Sequence, residues 1–129
     1  MRFSVLALDF FERDVRLRMP FRFGVATMKE APQAFVRARV RLETGTEGGG
    51  GAGERLAPKW FDKNLALSNE QNFDQLRTSL ALARDAYLAG GVNTGYGHFI
   101  AHYREQITAG ARRGPVSYTH LTLPTTPYV

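Results

Sequence analysis

Two stretches of strict two-residue alternation constrain the fold of this 129-residue chain more than any other feature. In the first, Val15, Leu17, Met19, Phe21 and Phe23 alternate with Arg16, Arg18, Pro20 and Arg22. Successive strand side chains point to opposite faces, so the pattern reads as a strand with one buried face, starting as early as Phe3. In the second, Ala34, Val36, Ala38, Val40 and Leu42 face one way, while Phe35, Arg37, Arg39, Arg41 and Glu43 face the other. Between the two, Gly24 to Pro32 is longer than a tight hairpin requires and reads as a loop. Thr44-Gly45 turns the chain, and glycine fills five of the six positions from Gly48 to Gly53. That run reads as a mobile loop, followed by a short third strand over 53–56.

The pattern then changes period. Ser68 with Gln71 three residues later is a capping-box signature, and Phe73, Leu76, Leu80, Ala83 and Tyr87 recur at helical spacing up to Gly90-Gly91. Thr94 caps a second helix in which Phe99, Tyr103 and Ile107 share a face before Gly110. The expected class is α+β: a three-stranded antiparallel sheet followed by helices.

Composition fits one globular domain, with 43% hydrophobic and 22% charged residues. The chain contains no cysteine, which excludes disulfides, thiolate metal sites and cysteine nucleophiles. No stretch is long and apolar enough for a signal peptide or spanning helix, and a cytoplasmic address is expected.

Every charged residue lies at or before Arg113, and Pro115 to Val129 carries none. Within that tail, Val116 to Thr125 is encoded by GTC TCT TAT ACA CAT CTG ACG CTG CCG ACG, a string resembling a library-preparation adaptor. Residues 1–114 are therefore read as the domain and 115–129 as a non-native, disordered tail.

Several sites suggest chemistry only weakly. The glycine run lacks the Gly-Lys-Ser/Thr of a phosphate loop, since Glu54-Arg55-Leu56 follows. His98 and His102 share a helical face, but the Glu of a metalloprotease motif is absent and they read as core or surface histidines. Arg16, Arg18 and Arg22 on one strand and Arg37, Arg39 and Arg41 on the next are expected on one sheet face, where they attract an acidic partner or meet covering carboxylates. Aromatic interleaving is poor there and no recognition helix accompanies it, which disfavours nucleic acid. Lys59-Trp60-Phe61-Asp62-Lys63 reads either as an amphipathic connector or as a loop presenting cations to an anion.

Three motifs in order, Leu17-Arg18-Met19-Pro20-Phe21-Arg22-Phe23-Gly24, Phe35-Val36-Arg37-Ala38-Arg39-Val40 and Gly51-Ala52-Gly53-Glu54 followed by Leu56-Ala57-Pro58, resemble a known arrangement. It is similar to the N-terminal capping domain of the enolase superfamily, in the mandelate racemase and muconate-lactonising branch. The resemblance covers roughly residues 3–110. It implies a lid over the mouth of a catalytic (α/β) barrel that this chain lacks, so no catalytic or metal-binding residue is expected here.

In the parent enzyme the resemblance implies Mg²⁺ and abstraction of a proton alpha to a carboxylate, as in racemases, dehydratases and cycloisomerases. The partners it implies are the chain's own barrel domain, a small carboxylate substrate and other copies in a homo-oligomer, with no membrane. Two loops are implied to face the substrate. The first supplies Phe23, Val25 and Met28 as apolar walls and Lys29 as a cation. The second supplies Lys59 to pair with a carboxylate and Trp60 as a wall, with the glycine run giving it mobility. The competing expectation is a stand-alone α+β module that binds an acidic partner or nucleic acid through its arginine face.

Overall fold

A computed structural model of the chain describes residues 1–24, 26–60 and 62–112. Val25, Phe61 and the segment 113–129, with the tail read as non-native, lie outside the described residues. The elements are β1 (Phe3–Arg13), β2 (Arg16–Phe23), β3 (Ala26–Glu30), β4 (Gln33–Leu42), β5 (Glu47–Arg55), α1 (Asn69–Ala89), β6 (Val92–Asn93) and α2 (Gly95–Ala111). The class is α+β as expected, but the main antiparallel sheet has four strands rather than three, in the order β5-β4-β1-β6. β2 and β3 form a separate two-stranded sheet. Among the described residues no helix is long and apolar enough to cross a membrane.

The single long strand expected from Phe3 to Phe23 is in fact two strands in two sheets. The reason lies partly in β1 itself. Its register with β4 pairs Val5 with Val40 but Ala7 with Arg39, so one residue, Leu6, is extra on β1. A bulge of this kind swaps the faces. It lets Phe3 and Val5 before it, and Leu8 and Phe10 after it, share one side although the sequence alternation slips at Leu6.

The loop expected over Gly24 to Pro32 contains a strand. Phe23 pairs with Ala26, and Gly24, which follows β2, lies in the left-handed region at φ 54°. Proline cannot donate to a ladder, and Pro20 falls in the irregular interval between the Arg16–Glu30 and Phe21–Met28 pairs. The hairpin is anchored where the Ala31 amide donates to the Val15 carbonyl at 3.1 Å.

The glycine run is likewise not a loop. Glu47 to Arg55 pairs with β4 without interruption, from Arg41↔Glu47 to Gln33↔Arg55. Because β2 left the main sheet, the expected six-arginine face is not assembled. Arg37 instead faces Asp9 on β1 at 3.0 Å, Arg41 faces Glu47 on β5 at 2.6 Å, and Arg16 faces Glu30 on β3 at 3.1 Å. The carboxylates that offset like-charge crowding come from adjacent strands and not from a covering element.

Both helix starts form as the sequence indicates. Ser68 Oγ accepts from the Gln71 amide at 3.2 Å while Gln71 Oε1 accepts from the Ser68 amide at 2.7 Å, completing the capping box. Thr94 Oγ1 accepts from the Gly97 amide at 2.9 Å. Arg77 on α1 ties the helix to β1, donating to Glu12 at 2.6 Å and to Glu70 and Asp74 at 2.7 Å each.

The buried apolar cluster is small: Met28, Ala31, Leu56 and Phe73, with Leu17, Phe23, Leu76 and Leu80 among the residues packed against it. It joins the hairpin to the end of β5 and to α1. At the other end of the helices, His98 is 1% exposed and its Nε2 donates to the Phe3 carbonyl at 2.9 Å. His98 is thus a core histidine stacked on Tyr87, and His102 is half-buried with its ring tilted against the same tyrosine. Between the inner face of β4–β5 and the two helices lies a cavity of about 710 Å³, lined by Val36, Leu80, Ala83, Phe99, Tyr103 and Ile107 among others.

Candidate functional site

The site is built where the β2–β3 turn approaches the segment after β5. Residues two apart on a strand share a face, so Phe21 and Phe23 lie together on β2, their ring centroids 5.8 Å apart. Phe23 also meets Trp60, with centroids 5.2 Å apart and planes at 70°, the edge-to-face geometry that aromatic quadrupoles favour. Trp60 is 48% exposed and Phe21 52%. The result is a half-open aromatic surface contributed by two segments more than thirty residues apart in sequence.

Lys59 sets the direction of Trp60. It is the one non-glycine residue with positive φ among the described residues, at 62°. Side chains other than glycine rarely occupy that region, and such strain persists only when the surroundings hold it. Here the ammonium group does the holding. Lys59 Nζ donates to the Asn64 carbonyl at 2.9 Å, to the Leu67 carbonyl at 2.5 Å and to Asn72 Oδ1 at 2.8 Å. Those three acceptors match the three protons of an ammonium group.

The network continues: Asn72 Nδ2 donates to Gln75 Oε1 at 3.0 Å, and Gln75 Nε2 donates to Asp62 Oδ2 at 3.2 Å. Asp62 Oδ1 and Asn64 Oδ1 in turn accept from the Asn64 and Ala66 amides at 2.9 and 3.0 Å. Lys59 therefore points inward as the centre of a cap over the connection into α1, while the next residue, Trp60, faces outward.

The residues expected to face a substrate are divided by this arrangement. Phe23 and Trp60 come together. Met28 is buried in the core, so it backs the aromatic surface rather than lining it. Lys29 is exposed on β3, but strand alternation puts it on the side of the hairpin opposite Met28. Lys59 has its protons committed within the chain. Val25 lies outside the described residues. The mobility assigned to the second loop does not extend to Gly48–Gly53, which is laddered to β4.

Phe21 and Asn72 are two participants that the sequence reading did not single out. Phe21 was available from its spacing with Phe23. Asn72, 3% exposed, looks like an ordinary helix-start polar residue until Lys59 is seen to turn toward it.

Chemically the surface offers apolar, aromatic contact and a rigid backing. No group of three His, Asp or Glu side chains that could hold a metal ion occurs among the described residues. Comparison of the chain with protein-family models, with curated proteins and with solved structures returned no match.

Proposed function

We propose that the chain is the substrate-capping part of a Mg²⁺-dependent enzyme of the enolase superfamily, in the racemase, dehydratase or cycloisomerase branch, acting from the cytoplasm. The observation that carries this reading is the Phe23–Trp60 contact. The motif order nominates the β2–β3 turn and the segment after β5 as the two substrate-facing loops, and the fold joins them into one exposed aromatic surface.

The small buried core also supports the reading. A chain of this size ordinarily buries about two-thirds of the surface it exposes unfolded, and the residues facing the cavity beside β4 and β5 would gain burial against a further domain. In this reading Phe21, Phe23 and Trp60 exclude water and wall the substrate, and the Lys59–Asn72 cap holds that wall in place. A magnesium ion would be held by the barrel of the parent, where it would supply stabilisation of the negative charge that proton abstraction develops. The proton-abstracting groups also belong to the barrel, and the lid supplies none of them.

The test is kinetic, in the parent enzyme. Trp60→Ala and Phe23→Leu are expected to lower kcat/KM by about tenfold or more, the scale for losing apolar contact in a pocket, while magnesium affinity stays unchanged. Wild-type kcat/KM in Trp60→Ala removes the aromatic surface from the site.

A further inference from the structure

We propose that the open edge of β5 is a dimerisation edge, pairing antiparallel with β5 of a second copy of this chain about a two-fold axis at Gly51. The inference is independent of the capping reading and starts from backbone hydrogen bonding. The Leu56 amide donates to the Pro32 carbonyl at 2.8 Å and the Thr46 carbonyl accepts from the Leu42 amide at 2.9 Å, so even-numbered positions at both ends of β5 turn toward β4. The register between them is unbroken. In an antiparallel ladder the backbone groups alternate sides, and those of Glu47, Gly49, Gly51, Gly53 and Arg55 therefore point to the open side. Among the described residues no strand pairs there. Both backbone groups of Arg55 are satisfied within the chain, its amide donating to Glu54 Oε1 at 2.9 Å and its carbonyl accepting from the Ala57 amide at 2.9 Å, which leaves those of Glu47, Gly49, Gly51 and Gly53 open among the described residues.

Edges are normally blunted by bulges, prolines, charges or short length. The opposite side of the sheet follows that rule, with the irregularity at Leu6 and the two-residue β6. β5 does so only at its ends, since nine residues run without a bulge or proline and no charged side chain stands between Glu47 and Glu54.

What selects a second copy as the occupant is charge complementarity in one register. Antiparallel self-pairing that overlaps all nine residues of β5 must centre on Gly51. That register sets Gly49 opposite the partner's Gly53, and Glu47 opposite the partner's Arg55, twice. The outward-pointing backbone groups of Gly49, Gly51 and Gly53 then meet those of the second copy, and the Glu47–Arg55 positions contribute their side chains. Glu47 and Arg55 share a strand face by parity, so each end closes with an ion pair. Arg55 has no carboxylate partner among the described residues, and Glu47, already paired with Arg41, would lie between two guanidinium groups. Moving the axis to Gly50 or Ala52 loses both ion pairs and two paired positions. The product is one sheet continuous through both copies.

The chain has no cysteine, which makes crosslinking unambiguous. A Cβ at Gly51 meets only the Val36 carbonyl, at 3.5 Å, so Gly51→Cys is accommodated. Opposed Cα atoms in a hydrogen-bonded pair lie about 5.5 Å apart, within disulfide reach. Mild oxidation of the full chain is expected to crosslink Gly51→Cys and to leave Gly48→Cys, whose two copies would sit about 20 Å apart, uncrosslinked.

In sedimentation equilibrium the wild type should dimerise. Glu47→Arg should weaken the dimer about tenfold, and adding Arg55→Glu should recover most of that loss. A wild-type chain that stays monomeric at all concentrations overturns the proposal and leaves the edge to a foreign strand. Equal crosslinking of both cysteine variants, or a double charge swap no better than the single, also overturns it.

Discussion

Lys59 Nζ lies 2.8 Å from Asn72 Oδ1, and this one hydrogen bond ties the end of the segment after β5 to the first turn of α1. A buried hydrogen bond to a charged group contributes about 1.5–3 kcal/mol, most of it felt when one partner is removed and the other stays. Asn72→Ala is therefore expected to lower stability by about 2 kcal/mol, measured by urea unfolding with an unchanged m-value. Lys59→Ala should cost at least as much, because two carbonyls lose their donor as well. The residue's place in the sequence suggests a substrate cation whose loss would spare the melting temperature, and the observed geometry predicts the reverse.

The Arg77 cluster makes a pH-dependent prediction. Hydrogen bonding from Arg77 holds the Glu12 carboxyl below its ordinary value of 4.5, against a smaller opposing effect of burial. A carboxylate whose folded pKa is depressed stabilises the fold above its unfolded pKa and loses that contribution as pH falls through the folded one. The stability difference between wild type and Arg77→Met should be about 1 kcal/mol near neutral pH, discounted for the partial exposure of the pair. It should shrink as pH drops below about 4.5. A difference that stays constant down to pH 3 assigns the effect of Arg77 to packing.

Gly90 is required by its neighbours and not by its backbone angles. Its φ is −76°, open to any residue, yet a Cβ placed there would lie 2.6 Å from His102 Nε2 and 3.1 Å from His98 Nδ1. Gly90→Ala should destabilise by about 1–3 kcal/mol, the range for overpacking, despite the usual gain from replacing a helix-end glycine. Combining it with His102→Ala, which clears the nearer contact, should recover most of the loss. No recovery would mean that the imidazole is not the obstacle.

What the sequence reveals follows from how local each signal is. Ser68 with Gln71, Thr94, and the apolar period through Tyr87 are decided within a turn or two of helix, and those elements form where the residues indicate. β4 is legible because its alternation is uninterrupted. β1 and β2 are not separable by pattern, since the bulge at Leu6 preserves apolar facing while breaking the count, and the hairpin's departure to a second sheet is a tertiary event. β5 is opaque for another reason: glycines carry no alternation, and only the ladder with β4 makes them a strand. At the site, Phe23 and Trp60 can be nominated from sequence, but the turn of Lys59 inward cannot. It depends on a positive φ that lysine adopts only when Asn64, Leu67 and Asn72 converge to hold it.

The capping reading is tested most directly by determining the uninterrupted gene from which the segment 1–114 derives. The account predicts that the frame continues past Gly114 into a repeating strand–helix pattern, with Asp and Glu at successive strand ends and a Lys or His base among them. A frame that closes within a few codons, or that continues without alternating strands and helices, contradicts it.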